Sequence, residues 1–248
     1  LTPAASWGIG VLTVSISQKP QRASDQGFFH DVVRLGWGGA KANVRPGIVL
    51  WIVGSVIVAG YYLFPPIRDF CNQIGVIKDR YSPGIVIASS ALFGSLIPYL
   101  FQVIFLHRER RQPFRRVPGL LLFWGIHGWQ VDWLYRLQSM IFGDDQKVTT
   151  LVQKTLVDQF VWAPLLAVPQ VLLAYLFIEN DYSLSRTRAA LQRKSYLARA
   201  IPLTIANWAV WIPAVTLVYL LPLSLQLPLQ NLILSLWCLI LIFFAKNA

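Results

Sequence analysis

The chain has 248 residues, of which 55% are hydrophobic and only 13% charged, with a net charge of +11. A soluble domain carries about 25% charged residues, so an ordinary water-facing surface is excluded and lipid becomes the expected solvent for much of the chain. The basic residues sit in short loops between apolar runs and form no aromatic-interleaved basic motif, which argues against nucleic acid as a partner.

In chain order, residues 1–46 contain no span. "GFFHDVVRLGWGG" places Phe28, Phe29, Val32, Val33 and Leu35 near one helical face. The segment reads as an interfacial helix or as an N-terminal arm, disordered or bound to a complex. A membrane-crossing helix needs about 20 apolar residues, and six stretches approach or reach that length: Gly47–Phe64, Ile85–Leu106, Val117–Leu137, Leu156–Phe177, Ile201 to about Leu221, and about Leu229 to Ala245. The last two are joined by the uncharged "PLSLQLPLQ", a tight hairpin or a re-entrant pair. The fold class expected is therefore an all-α integral membrane bundle of five to six transmembrane helices. Its parts are an arm (1–46), an extra span with its loop (47–80) and a multispan core (81–248).

Charge placement supports alternation across a bilayer. If all six stretches cross, sixteen of the 22 basic residues fall on one side: Lys19, Arg22, Arg34, Lys41 and Arg45, the five arginines of the 107–116 loop, Arg186, Arg188, Arg193, Lys194 and Arg199, and Lys246. Arg68, Lys78, Arg80, Lys147 and Lys154 fall on the other side, among Asp69, Asp79, Asp144 and Asp145. The positive-inside rule predicts such a bias, with both termini on the positive side. Ten Trp and nine Tyr add the aromatic content of headgroup regions.

Charges inside the spans are costly and need partners or water. In "VQKTLVDQFVWAP", Lys154 precedes Asp158 by four residues, and Gln159 follows. The spacing predicts a Lys154–Asp158 pair on one face, and the polar groups are a depth-setting interface pair, part of a polar path between helices, or a buried pairing of Asp158 with a distant base such as Arg136. Asp132 and Arg136 repeat the i, i+4 spacing with the acid first, and Trp129, Trp133 and Tyr135 are expected around the same side. No catalytic or metal set emerges. His30, His107 and His127 lack ligand spacing and read as surface or packing residues, and Asp144–Asp145 reads as an exposed turn. Cys71 and Cys238 form neither a disulfide framework nor a metal cluster. No enzyme activity and no cofactor are expected.

"KTLVDQFVWAP" has a Lys-x-x-x-Asp-Gln-x-x-x-x-Pro pattern, carried by Lys154, Asp158, Gln159 and Pro164. It resembles the signature of the twenty-two-kilodalton peroxisomal membrane protein family, also called the Mpv-seventeen family. Gly94 in "SSALFGSLIPYLFQ", Gly119 and Trp133 in "VPGLLLFWGIHGWQVDWLYRLQ", and the Pro222-to-Trp237 separation add to the resemblance, which spans about residues 81–245. Ser95 stands where that family usually has Asp, and its usual Gln, Asn-Phe and Arg are missing from "NWAVWIPAVTLVYLLPLSLQ". The resemblance implies a divergent member with a four-helix core plus an extra N-terminal span, in an organelle membrane and channel-like for small solutes. The lost polar groups and the added N-terminal region favour a different expectation, a non-catalytic accessory subunit of a larger membrane complex. Membrane lipids, and other subunits in the second reading, are the expected partners. The mitochondrial inner membrane suits the basic, Trp-rich composition best, with another organelle membrane or a bacterial plasma membrane as the alternative.

Overall fold

A computed structural model describes residues 25–106, 111–191 and 193–246. The N-terminal basic residues Lys19 and Arg22, and His107, Arg108 and Arg110 of the loop between the second and third predicted spans, lie outside the described residues. Among the described residues the chain is all-helical, without a strand. The helices are α1 (Asp25–Leu63), α2 (Pro65–Tyr81), α3 (Gly84–Phe105), α4 (Val117–Phe142), α5 (Val148–Glu179), α6 (Leu184–Ala190), α7 (Arg193–Tyr219) and α8 (Leu223–Lys246).

Three of these are long and apolar enough to cross a membrane, within Gly84–Phe105, Val148–Glu179 and Tyr196–Tyr219. A fourth is added if the two halves of α1, Phe29–Arg45 and Gly47–Leu63, count as one span bent by 49°. Pro46 stands at that break, where a proline removes a backbone donor and kinks a helix. Helix α4 has the length to cross, but His127, Gln130, Asp132, Arg136 and Gln138 dilute its apolar character. Residues 65–80, expected as a loop, are helical: Pro65 and Pro66 suit a first turn, and the Arg68 side chain donates to the orphan carbonyls of Tyr61 (3.2 Å) and Tyr62 (2.7 Å) at the end of α1. The stretch "PLSLQLPLQ" is mostly the first turns of α8, so α7 and α8 meet in a tight hairpin at residues 220–222.

Two of the basic loops lie side by side. Arg115 pairs with Asp181 at 3.0 Å, and the Tyr182 hydroxyl donates to the Arg115 carbonyl at 2.9 Å, which joins the loop before α4 to the loop after α5. At the other end, Gln146 donates to the Tyr62 hydroxyl, which donates to the Leu220 carbonyl at the α7–α8 turn.

Helix α8 is central and touches α1, α2, α3, α4 and α7. Glycines set the closest approach of α3 and α4. A Cβ on Gly94 of α3 would stand 2.7 Å from Trp124 Cγ of α4, and one on Gly128 of α4 would overlap the Ser90 side chain of α3. Small residues at such seams let membrane helices pack backbone to backbone.

Two helices widen into π turns, at Leu92–Leu96 in α3 and Asp158–Ala167 in α5, and each is tied to a proline. In a π turn the carbonyl of residue i seeks the N–H of residue i+5. For Phe93 that residue is Pro98, and for Gln159 it is Pro164, neither of which has an N–H. Both carbonyls are satisfied from a neighbouring helix instead: Ser235 Oγ of α8 donates to the Phe93 carbonyl at 2.5 Å, and Trp208 Nε1 of α7 donates to the Gln159 carbonyl at 2.6 Å. The same device thus fastens α3 to α8 and α5 to α7.

A polar cavity among α4, α5, α7 and α8

The widened turn in α5 places Asp158 and Gln159 side by side facing the interior, with Asp158 only 6% exposed. Two neutral donors hold the carboxylate. The Tyr219 hydroxyl of α7 donates to Oδ2 at 2.7 Å, and Gln159 Nε2 donates to Oδ1 at 2.8 Å. Each donor is itself oriented: Gln138 Nε2 of α4 donates to the Tyr219 oxygen at 2.9 Å, and Asn207 Nδ2 of α7 donates to Gln159 Oε1 at 3.3 Å. Buried polar groups must be paired in this way to be tolerated, and two such donors suit an acceptor-only carboxylate.

The predicted Lys154–Asp158 pair does not form. Lys154, 2% exposed, turns the other way and sets its Nζ 3.0 Å from Asp144 Oδ1, above the Tyr219 ring at 5.8 Å. Asp158 keeps regular α register with Lys154, its N–H reaching the Lys154 carbonyl, so the pair is absent because each side chain takes another partner, Lys154 the Asp144 carboxylate and Asp158 the Tyr219 hydroxyl. Asp144–Asp145 is a turn as expected, and it braces the start of α5. Asp144 also accepts from Ser139, and Asp145 accepts from Thr150 and pairs with Lys147.

Asp132 and Arg136 do pair, Nε to Oδ2 at 2.8 Å. Their network faces α2 rather than Asp158: Lys78 Nζ, buried, lies 2.5 Å from Asp132 Oδ1, and Arg136 reaches Asp79 at 3.4 Å. The aromatic face predicted on α4 divides. Trp129 and Trp133 point outward, Trp133 being 55% exposed, whereas Tyr135 is fully buried against Tyr219 with ring centroids 5.3 Å apart. Two residues four apart lie about 40° apart around a helix, but Tyr135 is about 160° from Trp133.

A cavity of about 140 Å³ opens beside Asp158 and Gln159. Helix α4 contributes Trp124, His127 and Val131, α7 contributes Asn207 and Trp211, and α8 contributes Gln230, Leu234 and Trp237. His127, read from sequence as a surface or packing residue, lines this cavity and shares its Nδ1 with Gln170 Oε1 at 3.3 Å. Asn207, Gln230 and Tyr219 are further residues that sequence reasoning does not single out. Spacing points to His127 and Gln230 alone: Trp124, His127 and Val131 recur at i, i+3, i+7 and Gln230, Leu234 and Trp237 at i, i+4, i+7, each a single helical stripe.

The sequence-predicted residues therefore separate into three places. Asp158 and Gln159 reach the cavity, Lys154 of α5 ties to Asp144 of the loop before that helix, and Asp132 with Arg136 fastens α2. Gly94 and Gly119 are packing positions, since a Cβ on Gly119 would stand 2.7 Å from the Tyr182 oxygen. Pro164 shapes the wide turn, Trp237 lines the cavity, and Pro222 supplies the carbonyl that accepts from the Leu225 N–H at 2.8 Å where α8 begins. Among the described residues no group of three His, Cys, Asp or Glu side chains converges on a metal site. Neither a protein-family model, nor a curated protein, nor a solved structure matches this chain.

Proposed function

We propose that this chain is an integral membrane protein of five to six spans whose helices α4, α5, α7 and α8 enclose a channel-like path for small solutes. One observation carries the reading: a buried carboxylate with three amides borders a cavity inside otherwise apolar helices. Polar groups at such depth are expensive, and they mark solute or ion paths in membrane proteins. The resemblance of the Lys154, Asp158, Gln159 and Pro164 pattern to the Mpv-seventeen family supports the same class and an organelle membrane, and the basic, Trp-rich composition favours the mitochondrial inner membrane among these. Catalysis forms no part of the proposal. The test is reconstitution of the purified chain into liposomes loaded with small solutes. Release above that of empty liposomes, altered by Asp158→Asn, supports the path. Release no faster than from empty liposomes refutes it.

A second reading, an accessory subunit, draws on α2. This helix buries Gly75 and Lys78 but exposes Phe70, Val76 and Ile77, an apolar face on an element of only 17 residues, short for a span. Migration of the gently extracted chain with a defined set of other subunits supports this reading, and a lone chain or small homo-oligomer opposes it.

A further inference from the structure

The cavity beside Asp158 is chemically lopsided. Asp158 brings a carboxylate with no ammonium or guanidinium partner, because Lys154, the nearest base in sequence, is turned to Asp144. Among the described residues no Lys or Arg lines the cavity. His127, the other titratable group there, is engaged by Gln170. A second acceptor waits unused: Gln230 Oε1 is buried and accepts no hydrogen bond. Four indoles, Trp124, Trp162, Trp211 and Trp237, form much of the remaining wall. A carboxylate, a free amide oxygen and several indole rings together call for a guest that donates hydrogen bonds, carries positive charge and has an apolar tail. Cations are drawn to indole faces, and more strongly where water is excluded. The cavity's 140 Å³ is close to the roughly 150 Å³ that accommodates a benzene-sized guest.

We infer that this cavity binds a small monoalkylammonium ion, the protonated form of a primary amine, with its ammonium group between Asp158 and Gln230 and its alkyl chain against the indoles. The inference rests on the cavity described above and gives its proposed path a preferred solute class. The ammonium supplies the donor that Gln230 Oε1 lacks and balances the buried charge of Asp158, while Tyr219 and Gln159 keep the carboxylate aimed. A rival condition is a protonated Asp158 that serves only to join α5 to α7 and needs no cation.

The test is equilibrium binding to the purified full chain in detergent, read by Trp fluorescence and calorimetry. The probe is butylammonium chloride, compared with the uncharged 1-pentanol of similar size. The expected result is saturable butylammonium binding, weakened about tenfold or more by Asp158→Asn and several-fold by Gln230→Leu, with pentanol binding weak and unchanged in both variants. Equal binding of the two probes, or butylammonium binding indifferent to both substitutions, overturns the inference. If Asp158→Asn fails to fold, Gln230→Leu decides, because Gln230 takes no part in holding Asp158. Binding needs no transport, so the outcomes separate: ammonium binding without solute release refutes the path alone, and release without ammonium preference refutes this inference alone.

Discussion

Lys154 Nζ lies 3.0 Å from Asp144 Oδ1 and leaves Asp158, one turn along the same helix, to the Tyr219 hydroxyl at 2.7 Å. Two charges that sequence spacing would cancel against each other are thereby kept apart. One closes the loop before α5, and the other stays available inside. Asp144→Asn strands a buried ammonium. Breaking a fully buried pair costs about 3–5 kcal/mol, and Asp144 is half exposed, so about 1–3 kcal/mol is expected after allowing for solvent screening. Thermal unfolding in detergent should show that loss, and the Lys154→Met/Asp144→Asn pair should recover most of it. A double variant as unstable as the sum of the singles would contradict the pairing.

The wide turn in α5 makes a second prediction. Trp208→Phe removes the donor to the Gln159 carbonyl, and an unsatisfied buried acceptor costs about 1–3 kcal/mol. Pro164→Ala restores a backbone N–H five residues after Gln159, so the double variant should regain part of that stability. Strict additivity of the two substitutions would mean that Trp208 and Pro164 are not linked through that carbonyl.

Packing of α3 on α4 admits no side chain at two glycines. Gly94→Leu must displace Trp124, and overpacking of this kind costs about 1–3 kcal/mol. Since Trp124 also lines the cavity, the same variant should reduce any solute release. Unchanged unfolding temperature would show that the helices have room to separate.

Helix α2 is fastened by Lys78 to Asp132, both buried. Lys78→Met leaves Asp132 with Arg136 alone and should loosen α2 before the rest of the bundle unfolds. Limited proteolysis should then cut within residues 65–81 while α3 to α8 stay intact. Cleavage no faster than in the unaltered chain would contradict that role.

Much of this architecture was readable from sequence, because apolar runs of span length leave few alternatives to helix. The Asp132–Arg136 contact was readable too, since α4 keeps regular spacing through it. What spacing does not show is which partner a side chain takes when a loop or a neighbouring helix competes with its own helix. Asp158 keeps the i, i+4 register with Lys154, yet Lys154 turns to Asp144 and Asp158 to Tyr219. Helix α2 is too short and polar to register as a span, so spacing alone places Lys78 in a loop. His127, Asn207 and Gln230 carry no signal singly, although stripe spacing puts His127 and Gln230 with lining aromatics.

The most direct measurement is sided thiol labelling at the cavity wall. Ala167 lines the cavity. In a chain with Cys71 and Cys238 replaced by Ala, Ala167→Cys is reconstituted into liposomes and exposed to a small cationic methanethiosulfonate reagent. A solute path through this cavity predicts that the reagent reacts with this cysteine from the aqueous phase and slows solute release, and that Asp158→Asn weakens the reaction by removing the charge that draws the cation in. A cysteine that never reacts from either side, in a protein that elutes as the unaltered chain does, would contradict such a path.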